Sequence, residues 1–93
     1  MHSVIFRINK KEVAKYRKDS LMWAAHARKF KGFLGYYTMK RTNAKNQYVS
    51  VYVWETERDN KRFMAKLHDQ LVAKSKARVK PLGYFQWKLL DIV

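Results

Sequence analysis

Ninety-three residues carry 21 Lys and Arg against 7 Asp and Glu, a net charge of +14, with 47% hydrophobic and 15% aromatic content. That is one folded, strongly basic domain, residues 1–93, well outside the disordered range. The absence of cysteine excludes a disulfide scaffold, a zinc ribbon or a thiol nucleophile, and His2, His26 and His68 lack the close spacing of a metal site.

The amino-terminal MHSVIFRINKK is too short an apolar run for a signal peptide, and nothing approaches the length of a membrane span. The expectation is a soluble cytoplasmic protein with no membrane partner.

Val4 to Ile8 reads as a first strand. Lys10 to about Phe30 reads as a helix, because Val13, Tyr16, Ser20, Trp23, Ala27 and Phe30 fall at three- and four-residue steps along one stripe. Lys11, Lys15, Lys18 and Lys29 lie towards the opposite side. Gly32 ends the helix, and GFLGYYTMK forms a second strand. Thr42 to Asn46 is turn material, followed by a third strand, YVSVYVW, from Tyr48 to Trp54. Thr56 is an N-cap with Glu57 and Asp59 in the first turn, and a second helix runs on to about Arg78. Pro81 and Gly83 bracket a turn before a last strand, Tyr84 to about Ile92.

This order is β-α-β-β-α-β, a ferredoxin-like α+β arrangement with two helices on one face of a four-stranded antiparallel sheet. The third strand alternates: Val49, Val51 and Val53 on one side, Tyr48, Tyr52 and Trp54 on the other. The valines are expected under the helices and the aromatics on the open face. Such a face is not left in water. RNA, a second copy of the sheet, or a flat organic molecule would each cover it.

RNA recognition on this topology stacks bases on aromatics of strands one and three. Strand three here lacks the Lys/Arg-Gly-aromatic-Gly/Ala-aromatic pattern, and Arg7 stands where strand one wants an aliphatic residue. Sixteen of the 21 basic residues fall within 10–31 and 56–80, on the helical layer behind the platform. Nucleic acid or another polyanion on that basic helical face of a non-enzymatic dimer stays as the alternative partner.

Gly32-Phe33-Leu34-Gly35, then Trp54-Glu55, Glu57, Phe63 and His68, in that order and spacing, resemble the antibiotic-biosynthesis monooxygenase family. The motifs cover residues 32 to 73. The resemblance implies a dimeric α+β barrel, two protomers meeting through their open sheet faces, with Tyr48, Tyr52 and Trp87 at the dimer interface. It further implies oxygenation of an aromatic or quinol-type molecule by dioxygen without a metal or other cofactor. His68 would be the catalytic base, its reference pKa being near 6.5. Trp54, Tyr52, Tyr36 and Phe63 would bind substrate. One subgroup of the family degrades haem with an Asn–Trp–His set. Here Asn9 lies at the end of strand one, Phe63 stands at the tryptophan position, and only His68 carries over, which disfavours haem. Trp23 reads as core.

Overall fold

The computed structural model describes residues 1–93. Its elements are β1 (His2–Ile8), a 3₁₀ turn (Lys10–Glu12), α1 (Val13–Ala27), β2 (Phe33–Lys40), β3 (Gln47–Trp54), α2 (Glu57–Lys74) and β4 (Val79–Gln86). The strands form one antiparallel sheet in the order β2-β3-β1-β4, with both helices on one face, as the element order implied. No helix is long and apolar enough to cross a membrane.

Asn9 opens the first helical segment by accepting the Lys11 N–H on its side chain (3.0 Å), so a 3₁₀ turn precedes α1. The stripe read from the sequence is the buried one: Tyr16, Ser20 and Ala27 are buried and Trp23 half-buried. At the other end Gly32 has φ +87°, and a Cβ there would run into the Asp59 carboxylate. That carboxylate accepts the Thr56 hydroxyl (2.9 Å) and Arg62 Nη1 (3.2 Å), while the Thr56 oxygen caps α2 by accepting the Asp59 N–H (3.2 Å). Gly32 is therefore needed twice, for its backbone conformation and for the space it leaves the cap of α2.

Two boundaries differ from the sequence expectation. The second helix stops at Lys74, not near Arg78, because α1 captures the chain that follows. Asp19 accepts the N–H groups of Lys76 (2.9 Å) and Ala77 (2.8 Å), and Glu12 that of Arg78 (2.8 Å). Arg78 holds the Glu12 carboxyl below the usual carboxylate range, chiefly through that backbone N–H. The last strand begins at Val79, so Pro81 and Gly83 lie inside it and the residues after Gln86 lie beyond it. β4 is an edge strand, and its register against β1 shifts between Ile5 and Phe6, opposite Gly83 and Pro81. An edge bulge tolerates a proline that has no N–H to offer.

The larger correction concerns the two sides of β3. Tyr52 and Trp54 are buried under the helices, at 4% and 7% exposure, and Tyr48 lies on the same side, its ring 6.0 Å from Tyr16 on α1. Tyr52 stands 6.4 Å from Trp23 and 6.0 Å from Phe63, and Trp54 5.5 Å from Phe63. The valines face the open side. Both sides of this strand are apolar, so hydrophobicity leaves the choice open. It is made by the large rings that α1 and α2 supply, which leave room for tyrosine and tryptophan between the layers. Tyr48 and Tyr52, expected at a dimer interface, thus sit on the inner side. Trp87, just past β4, is on the open side, 58% exposed and donating Nε1–H to Ser3 Oγ (2.7 Å).

Candidate functional site

A cavity of about 570 Å³ lies between the inner side of the sheet and the helices. Trp23, Met64 and Val72 form apolar walls from the two helices, and Val4, Phe6 and Tyr84 from the strands. The strap from Ser75 to Arg78, held down by Asp19 and Glu12, borders one side. Trp23 is not only core: it lines the cavity and ties α1 to the strap by donating Nε1–H to Ser75 Oγ (3.0 Å).

Into this apolar space β2, β3 and α1 bring a cluster of hydroxyls. Ser50 Oγ is 2.6 Å from the Tyr16 hydroxyl and accepts the Tyr36 hydroxyl at 2.9 Å. These three groups own three protons, and two hydrogen bonds engage two of them, so one O–H is left to donate to a ligand. The Tyr52 hydroxyl belongs to the same wall, beside Tyr36. Burial pushes the Tyr16 phenol up to about 12, against a weaker lowering by Ser50, and burial with the neighbouring Tyr36 raises Tyr52 well above its ordinary value. Both phenols are therefore neutral hydrogen-bond donors at neutral pH and cannot serve as bases.

Two imidazoles border the cavity. His68 sits at its rim on α2, exposed, with Nδ1 3.1 Å from the Asp69 carboxylate and its ring edge-on to Trp23 at 5.9 Å. His2 is inside, buried, between the rings of Tyr52 (6.0 Å) and Tyr84 (6.5 Å). Burial, then the nearby amino terminus and His68, lowers its pKa, so it is neutral near pH 7. The Gln86 amide nitrogen lies 2.7 Å from His2 Nδ1 and donates to it, which leaves the proton on Nε2.

The structure thus brings His68, Tyr36 and Tyr52 to one cavity and separates the other two expected binding residues from it. Phe63 is fully buried in the core. Trp54 lines a different groove of about 560 Å³, at the end of β3 beside Leu34, Asn60 and Trp87. Trp54 Nε1 and Asn60 Oδ1 are the two buried side-chain polar atoms without a partner. Sequence reasoning missed His2, Tyr16 and Ser50. A period-2 reading of HSVIFRI in register with YVSVYVW groups His2 with Tyr52 and would have found the first.

No family model and no curated protein matches the sequence. Solved structures do match in fold. SnoaB from Streptomyces nogalater, a cofactor-independent oxygenase, superposes with a TM-score of 0.67 at 17% identity, over 96% of this chain and 92% of that one. A candidate antibiotic biosynthesis monooxygenase from Deinococcus radiodurans gives 0.70 at 13% identity, over 99% and 96%. MupZ from Pseudomonas fluorescens gives 0.73 at 11% identity, over 89% of this chain but only 65% of MupZ. At these identities the likeness is one of fold: the chain has the βαββαβ architecture of antibiotic biosynthesis monooxygenase-type proteins.

Proposed function

We propose that this protein binds a flat aromatic or quinol-type molecule in the cavity between sheet and helices and oxygenates it with dioxygen, without a cofactor. What carries this reading is the cavity itself: apolar ring walls, enclosing hydroxyl donors that are neutral and incompletely paired, in a fold shared with a cofactor-independent oxygenase.

The chemistry needs little from the protein. A phenol or anthrone-type substrate loses a proton, and the hydroxyls around Ser50, with His2 Nε2–H, hold the resulting oxyanion. The electron-rich ring carbon then bonds to dioxygen. The hydroperoxide so formed loses water and leaves a carbonyl, so a CH₂ group and O₂ become C=O and H₂O. One oxygen atom enters the product and the substrate supplies all the electrons. His68 takes the first proton. Its rim position lets it pass that proton to water, and Asp69 orients the ring.

Two copies meet through the open sheet face. Val49, Val51 and Val53 are only half-buried there, and Tyr37 and Trp87 are exposed at 59% and 58%. Tyr37 is paired across to Val51, so the patch is continuous over β2 and β3. Burying it removes an apolar surface that is costly in water.

Oxygen uptake with an anthrone or naphthoquinol tests the reading. Turnover is expected in the wild type and a loss of 10²-fold or more, on the order of a general base's contribution, in His68→Ala with unchanged thermal stability. No uptake with any such substrate, and no change in intrinsic tryptophan fluorescence on adding them, would refute it.

A further inference from the structure

The positive charge is concentrated where the sequence alone does not show it. Antiparallel pairing gathers the ends of β1 and β2 and the starts of β3 and β4 at one end of the sheet. Arg7 stands opposite both Gln47 on β3 and Lys80 on β4, and Lys40 opposite Tyr48. Arg41 follows β2 directly, with its N–H on the Gln47 carbonyl (2.9 Å), and Lys45 lies in the same turn. Lys10 and Lys11 come next after β1, in the 3₁₀ turn.

Acids are scarce at this end. Glu12 and Asp19 are there, and their carboxylates are engaged, Glu12 by Lys15 and the Arg78 N–H and Asp19 by the N–H groups of Lys76 and Ala77. Glu55, Glu57 and Asp59 all lie at the opposite end, where β3 runs into α2. The ion pairs of lysine and arginine, Lys15–Glu12, Lys61–Glu57 and Arg62–Asp59, involve only helical residues, so the helical layer is partly neutralised and the strand ends are not.

Two features are those of a surface built for an anion. Arg7 and Lys80 are directly opposed like charges on neighbouring strands, an arrangement that is unfavourable without a counter-charge. Arg41 is oriented by neutral groups alone: Nε donates to Asn43 Oδ1 and Nη1 to Gln47 Oε1, both at 2.9 Å. Its guanidinium is held in place with the remaining N–H groups free, which suits a phosphate oxygen pair.

We propose that this strand end binds the sugar–phosphate backbone of nucleic acid, as a binding activity separate from the cavity. The turn from Arg41 to Asn46 offers nothing larger than Ala44 to insert into lipid, which favours a phosphodiester over a bilayer surface. It also offers no ring to stack on bases, so recognition is of backbone charge without sequence preference. The basic helical face is not required.

The test compares two triple variants with equal loss of charge, by fluorescence anisotropy of a labelled mixed-sequence DNA duplex across a salt series. Lys40→Gln, Lys45→Gln and Lys80→Gln remove cations at the strand end. Arg28→Gln, Lys29→Gln and Lys31→Gln remove three in the connection from α1 to β2, at the other end of the sheet. The first triple is expected to flatten the dependence of log K on log salt by about 2.7, for three phosphate contacts, and the second by less than about 1. Equal flattening by both would show net charge alone at work and overturn the site. So would absence of duplex binding at about 50 mM salt, or binding to phosphatidylserine vesicles in preference to the duplex. Melting temperatures equal to wild type for both triples keep the comparison one of binding.

Discussion

Replacing Ser50 by alanine removes one oxygen and leaves two tyrosines to account for. The hydroxyls of Tyr16 (2.6 Å) and Tyr36 (2.9 Å) both end on Ser50 Oγ, beneath α1. Two neutral hydrogen bonds disappear, each worth about 1 kcal/mol net. The two tyrosines then diverge. Tyr36 is half-buried and opens to the cavity, where water replaces the lost partner. Tyr16 lines the same cavity but is only 5% exposed, so its hydroxyl is rehydrated less readily than that of Tyr36 and the lost partner carries a further cost of about 1–3 kcal/mol. Ser50→Ala should therefore lose about 3–5 kcal/mol, a large part of the roughly 5–15 kcal/mol that holds a domain together. In a Tyr16→Phe background no phenol is orphaned, and the same change should cost only about 1 kcal/mol. Urea unfolding of the four proteins, with equal m-values, measures this coupling as a double-mutant cycle. A coupling below about 0.5 kcal/mol, within the additivity of independent sites, would mean that the hydroxyls do not form one unit and would remove the basis for a shared donor to the ligand.

Gly32→Ala forces a side chain into a φ of +87° and against the Asp59 carboxylate, and should destabilise by about 2–4 kcal/mol in a thermal melt; a change under 0.5 would contradict the packing at the α2 cap. His2 has a lowered pKa in the folded state, so the unfolded chain binds a proton first as pH falls. Stability should be fully present above about pH 6.5 and fall progressively below it, and His2→Gln should abolish that slope in stability against pH. Tyr16 has a raised pKa, so the unfolded chain ionises first at high pH, and stability should drop between the ordinary phenol value of 10.0 and about 12, less steeply in Tyr16→Phe. Val51→Lys places a charge in the open valine face. Light scattering should show a dimer for the wild type and a monomer for the variant with its helical content unchanged, and a monomeric wild type would dismiss the two-copy arrangement.

Much of the architecture was determined locally. The 3.6-residue stripe from Val13 to Phe30 marked the buried side of α1, Thr56 announced the start of α2, and the order of elements implied the sheet and its covering helices. His68 stands within the series of motifs, and it shares one cavity with Tyr36 and Tyr52. What escaped the sequence was every choice settled by a distant partner. Helix α2 ends where it does because Asp19, some fifty-seven residues earlier, takes the N–H of Lys76. Pro81 and Gly83 read as a turn, yet they belong to a strand because β4 lies at an edge, where a missing N–H and a bulge are tolerated. Above all, YVSVYVW declares two faces but not which is covered. Valine and tyrosine both bury well, so its alternation fits either orientation. Only the rings of Trp23 and Phe63 and the hydroxyl of Tyr16, arriving from the two helices, decide that the aromatics turn inward and the valines outward.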